Sequence, residues 1–199
     1  MHGLSSAVEA PRDLQELSLY RLVAAEAERR NVPMRDLGRQ DAELKPAHAG
    51  TFDASVRAMQ YWCRLNERLV LERHAHHASV YAGFERLSRV KPVLRRYKRL
   101  AREVRRITVF GEADVELPFS ARIVDVTGAA LAREWFLVVD APSYKALLVA
   151  RDQHGFGPTG PLAGRRFLGV STHDADLVLT ACTALERWCA DVSALRATR

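Results

Sequence analysis

The 199-residue chain predicts an α+β fold, a mostly antiparallel sheet of about six strands with one strand-helix-strand crossover, flanked by N-terminal and C-terminal helices. Three observations carry that expectation. Apolar residues recur at helical spacing near both ends of the chain. Six short β-prone runs fall between residues 79 and 171. Between the first two of these runs stands a basic amphipathic segment, too long for a hairpin turn and suited to a crossover between parallel strands. A chain of this length sustains one core and is short for two, and 48% hydrophobic with 27% charged residues is ordinary globular composition.

The first helix is expected over Asp13 to Arg30. Leu14, Leu17, Leu22 and Val23 recur on one side, Asp13 can cap the start, and Asn31 with Pro33 stops it. The stretch "NVPMRDLGRQDAELKPAHAG" holds two prolines and two glycines and reads as a linker. Residues 1–50 are thus an N-terminal helix and linker, a relay or dimerisation segment, and residues 51–199 the domain proper. From Phe52 to Glu72 a second helix is expected, because Phe52, Val56, Met59, Cys63 and Val70 form a stripe while Arg57, Arg64, Glu67 and Arg68 lie off it. "SVYAGFE" follows as the first strand.

"KPVLRRYKRLAREVRR" carries Val93, Leu94, Tyr97, Leu100, Ala101 and Val104 on one face and is otherwise almost entirely basic. "ITVFG" then gives the strand parallel to the first. Four runs remain, "ARIVDV", "EWFLVVD", "YKALLVARD" and "RRFLGVS". The second and third are joined through Pro142, which suits a tight turn, so they form an antiparallel hairpin. Ser171 with Asp174 spells a capping box, after which Leu177, Val178, Ala181, Leu185, Trp188 and Val192 continue a last helix. His173, Asp174 and Asp176 at its start are accounted for by capping and the helix dipole.

Several function classes are excluded or weakened. Cys63, Cys182 and Cys189 are an odd number without a CxxC pair, which argues against a disulfide framework and a zinc knuckle. The apolar runs Phe136 to Val139 and Ala146 to Ala150 are far shorter than the roughly 18 residues of a membrane span, and the N-terminus lacks the pattern of a signal peptide, so a cytoplasmic location is expected. "GFGPTG", Gly155 to Gly160, has the G-x-G-x-x-G spelling of a dinucleotide loop. The segment after it reads as a strand, leaving no helix N-terminus for a phosphate; a connection between strands, or a flap over a pocket, fits better. No nucleophile elbow, P-loop or paired-carboxylate arrangement is present, so an enzyme is not expected.

The order of "VYAGFERLS", "RRYKRLA", "ITVFGEAD", "LAREWFLVVDAP" and "RRFLGVSTHDADLV" resembles the DICT domain, a sensory module of diguanylate cyclases, two-component proteins and MerR-type regulators, over roughly Thr51 to Val192. The resemblance implies a non-catalytic input domain that binds a small ligand and signals to an output domain or, as a homodimer, to its partner subunit. The family's neighbours implicate light and second messengers, which makes a linear tetrapyrrole (bilin) chromophore a candidate cofactor. A diguanylate cyclase, kinase or DNA-binding head would supply the output, and the 199 residues contain none. The N-terminal helix is the expected relay.

Nine residues are candidates for the ligand site. Cys63 is the first thiol to test for covalent attachment. His74, His76 and His77 invite a metal, but no recognised ligand spacing accompanies them, and a solvated junction with one imidazole entering a pocket is the competing reading; no metal is expected. Arg165 or Arg166 should turn inward, where a guanidinium fork could hold a carboxylate. Tyr81, Tyr97 and Trp135 could wall the pocket or serve as core. The alternative is a nucleic-acid-binding module using Arg95, Arg96, Arg99 and Arg102 on the basic helix 91–106; an ordinary solvated face competes with it.

Overall fold

A computed structural model describes residues 16–32, 45–48, 51–73, 75–153 and 164–197. Four helices are present among them, α1 (Leu19–Arg29), α2 (Val56–Arg73), α3 (Leu94–Glu103) and α4 (Ala175–Ala197). The strands are β1 (Lys45–His48), β2 (Thr51–Ser55), β3 (Ser79–Arg86), β4 (Arg106–Glu112), β5 (Arg122–Asp125), β6 (Glu134–Ala141), β7 (Tyr144–Asp152) and β8 (Arg166–Thr172). They form one sheet in the order β1-β2-β8-β7-β6-β3-β4-β5. Every neighbouring pair is antiparallel except β3–β4 and β4–β5.

Both faces of the sheet are covered. Phe136, Val138, Leu147 and Val149 pack with α1 and α4, while Leu137, Val139, Ala146 and Leu148 pack with α2 and α3. This burial explains why β6 and β7 carry uninterrupted apolar runs and lack the alternation of a half-exposed strand. Gly83 on β3 makes room for the Phe136 ring of the neighbouring strand: a Cβ there would stand 2.2 Å from that ring. None of the described helices is long and apolar enough to cross a membrane.

The α+β class, the terminal helices, the six expected strands, the parallel β3–α3–β4 unit and the β6–β7 hairpin all stand in the structure. Four details are corrected. Thr51–Ser55 is a strand, so the second helix begins at Val56; Ser55 Oγ accepts the Ala58 N–H at 3.3 Å and caps it. Within the expected linker, Lys45–His48 pairs with β2 as an edge strand. α1 starts at Leu19 with Ser18 as its cap, while Asp13 lies outside the described residues. Asp174 itself caps α4, accepting the Leu177 N–H at 2.9 Å, whereas Ser171 belongs to β8. Asn31, at φ 48°, ends α1 in a left-handed turn in which Val32 N–H reaches Ala27 C=O at 3.1 Å.

Candidate functional site

At the end of the sheet where β6 turns into β7, a cleft of about 650 Å³ opens between α2, that turn and the β8–α4 junction. Its volume lies in the range of small-molecule sites. The helix supplies Tyr61, Leu65 and Leu69, which recur every fourth residue and share one side, with Trp62 and Asn66 beside them. The turn supplies Pro142 to Lys145, and the junction supplies Ser171, Thr172, His173 and Ala175. Tyr61 is 62% exposed and Leu65 43%, so two large apolar side chains stand over the opening.

Rings line the interior of the cleft. His173 stacks on Trp62 with centroids 6.0 Å apart and lies 5.7 Å from Tyr144. His173 Nδ1 is 2.6 Å from the Lys145 carbonyl, a partner that needs Nδ1 to carry the proton and leaves Nε2 as the acceptor of a neutral ring. Tyr144 donates its hydroxyl to Asn66 Oδ1, and Asn66 Nδ2 donates to the Trp62 carbonyl at 2.8 Å. Lys145 is ion-paired with Asp140. The arrangement suits a flat apolar ligand held by stacking, with hydrogen-bonding groups at its edges.

The candidates named from the sequence are dispersed. Cys63, Tyr97 and Trp135 do meet, on the side of α2 turned toward the core: Trp135 donates to the Cys63 sulfur, and Tyr97 bonds to buried Glu67, which is ion-paired with Arg96. Burial pushes the Cys63 thiol far up, with the neighbouring Glu67 adding to the shift. Burial likewise raises the Tyr97 hydroxyl and the Glu67 carboxyl, against the pull of Arg96. Tyr81 faces the opposite layer, donating to Glu186 Oε1 at 2.8 Å and accepting from Arg106 at 2.5 Å. Burial lifts its hydroxyl too, with the Glu186 bond next in effect.

Arg165 is buried at the far end of the sheet, 3.5 Å from Asp152 and 3.9 Å from Glu85, and Arg166, half-buried, is in register with Ser55 of β2. One inward arginine was the expectation, and Arg165 is that residue. His76 and His77 are exposed in the short 3₁₀ turn Ala75–His77, while His74 and the loop Gly155 to Gly160 lie outside the described residues. That loop connects the antiparallel strands β7 and β8, so the helix N-terminus a dinucleotide would need does not follow it. Among the described residues no group of three or more His, Cys, Asp or Glu is placed to hold a metal ion. On α3, Arg95 and Arg102 are exposed, Arg99 is bridged to Glu103 at 2.7 Å, and Arg96 is turned inward to Glu67.

Sequence reasoning missed Tyr61, Trp62, Leu65, Asn66 and Tyr144, and assigned His173 only to capping. The available signal was a second apolar row on α2, Tyr61–Leu65–Leu69, beside the buried one.

Neither the comparison with curated proteins nor that with solved structures gives a match. The DICT family, described as the "Sensory domain in DIguanylate Cyclases and Two-component system", matches residues 39–153, more than half of the chain. The matched span takes in α2 and the β6–β7 turn, hence two walls of the cleft, and ends before β8 and α4. By that match the chain belongs to the DICT family of sensory domains.

Proposed function

We propose that this DICT domain is a non-catalytic signal-input module whose small-molecule ligand lies in the cleft between α2, the β6–β7 turn and the β8–α4 junction. The observation that carries the reading is the pair Tyr61 and Leu65, 62% and 43% exposed, over a hollow walled by Trp62, Tyr144 and His173. Isolated exposed apolar residues need no explanation, but two on one helical row at the rim of an aromatic concavity are what a flat ligand covers. A linear tetrapyrrole is one such ligand. It would stack along these rings, its carboxylates toward Lys145, and it would bind without a thioether, because Cys63 is on the other side of α2 and its thiol is held protonated.

The test is mass spectrometry of small molecules retained by the native protein, with and without co-expression of a bilin-producing pathway, alongside Leu65→Glu. A charge at the rim must be desolvated when a flat apolar ligand covers it, so retention should fall at least about tenfold while thermal unfolding is unchanged. Turnover of a metabolite by the pure protein, or retention indifferent to the substitution, rejects the proposal.

A second reading, nucleic-acid binding, rests on exposed Arg95 and Arg102 with Arg99 beside them. It requires mobility shifts that weaken steeply with salt and vanish in the triple reversal of these arginines to glutamate. With Arg96 and Arg99 already engaged by Glu67 and Glu103, the cleft is the better-supported site.

A further inference from the structure

We propose that the cleft controls the docking of α1 through the five-residue stretch Thr172–Asp176, which spans the end of β8, the junction His173–Asp174 and the start of α4, with Arg30 as the receiving residue. The inference rests on the cleft being the ligand site, and names the coupling that site would use. From His173 to Asp176, residues that face the cleft and residues that hold α1 alternate. Thr172 and His173 line the cleft. Asp174, next in the chain, accepts from Arg30 at 3.0 Å, and Asp176 accepts from the other arm of the same guanidinium at 2.7 Å. Thr172 Oγ1 accepts the Asp174 N–H at 3.0 Å, so the side of the junction turned to the cleft fixes the residue that grips α1.

The charges suit the helix ends that they join. Arg30 caps the C-terminus of α1, where a cation is favoured, and Asp174 and Asp176 stand at the N-terminus of α4, where anions are favoured. At the other end of α1, Ser18 Oγ donates to buried Glu134 at 2.5 Å and the Tyr20 N–H donates to it at 3.1 Å. Only the Arg30 end adjoins the cleft. His173 has its ring among Trp62 and Tyr144 and is joined through the backbone to Asp174, so a ligand that displaces the ring shifts Asp174 and loosens one of the two polar fastenings that flank the buried face of α1. A ligand moves this equilibrium only by its difference in affinity for the fastened and loosened arrangements.

The experiment needs no ligand. Hydrogen–deuterium exchange of the α1 amides is measured in the full chain for the wild type, Arg30→Ala, His173→Ala and the double variant, with the α3 amides as internal reference. Two partly exposed bridges are worth little individually, so Arg30→Ala should speed α1 exchange about fivefold and leave α3 unchanged. His173 is exposed and has its ring against Trp62 and Tyr144, yet His173→Ala should also speed α1 exchange, and the double variant should match Arg30→Ala alone. Asp176→Asn, at an exposed position, should reproduce part of the Arg30→Ala effect. An unchanged α1 in His173→Ala, full additivity in the double variant, or equal acceleration of α3 overturns the proposal. An empty ligand search would instead reject the cleft as a binding site and leave these exchange results readable.

Discussion

Glu134 shows how one buried carboxyl links chemistry to docking. Burial raises it from the ordinary glutamate value of 4.5 to about 7, even though Ser18 and the backbone N–H groups of Tyr20 and Leu19 bond to it and favour the ionised form. Between about 4.5 and about 7 the unfolded chain has released the proton that the folded chain still holds, so the contribution of this group is complete below that window and is lost as pH rises through it. Urea unfolding of wild type and Glu134→Gln should therefore diverge from about pH 5 to about pH 7.5, the wild type falling relative to the variant; a constant offset across the series counts against this assignment. Asn31 is a second single-residue test. At φ 48° it tolerates the left-handed turn that a β-branched side chain resists, so Asn31→Val should cost about 1–2 kcal/mol in thermal or urea unfolding, and Asn31→Gly close to nothing.

At the scale of elements, β3 and β6 depend on a glycine facing an aromatic ring. Gly83→Ala should destabilise by about 3 kcal/mol, the upper end of overpacking effects, because its Cβ would meet Phe136 at 2.2 Å and that ring is fully buried with no room to turn away; the urea midpoint measures it. The strands and helices legible in the sequence were those whose periodicity is set by a single neighbour or by two covered faces. α4 declares itself through Leu177, Ala181, Leu185 and Trp188, and β6 and β7 through their apolar runs. β1 and β2 were not legible, because "KPAH" and "TFDAS" are short and lie at the rim of the sheet, where pairing of β2 with β8 and of β1 with β2 decides their conformation and propensity does not. The cleft stayed hidden for a related reason. Its walls come from positions near 61, 144 and 173, which only the sheet order brings together, and of these Tyr61 and Leu65 alone departed from an ordinary helix pattern.

Across the whole molecule, the three layers bury the thiols. Cys63, Cys182 and Cys189 are all buried, and burial pushes the last two up to about 12 and about 11. None should react with a thiol reagent such as DTNB near pH 8 until the fold opens as a unit, when all three react; one fast native thiol would contradict the packing described. Charge is distributed unevenly over the same architecture, with the bridges at Arg30 reaching from one end of α1 to α4 and Glu134 meeting its other end. The size of α1 then has a bearing on what kind of message can leave the domain. Eleven residues make only three turns, too few to keep a coiled shape in water without a surface to lie on. Once lifted off the sheet, the segment would melt, and the message would be a stiff tether turning slack, an all-or-none event with no graded swing of a rod.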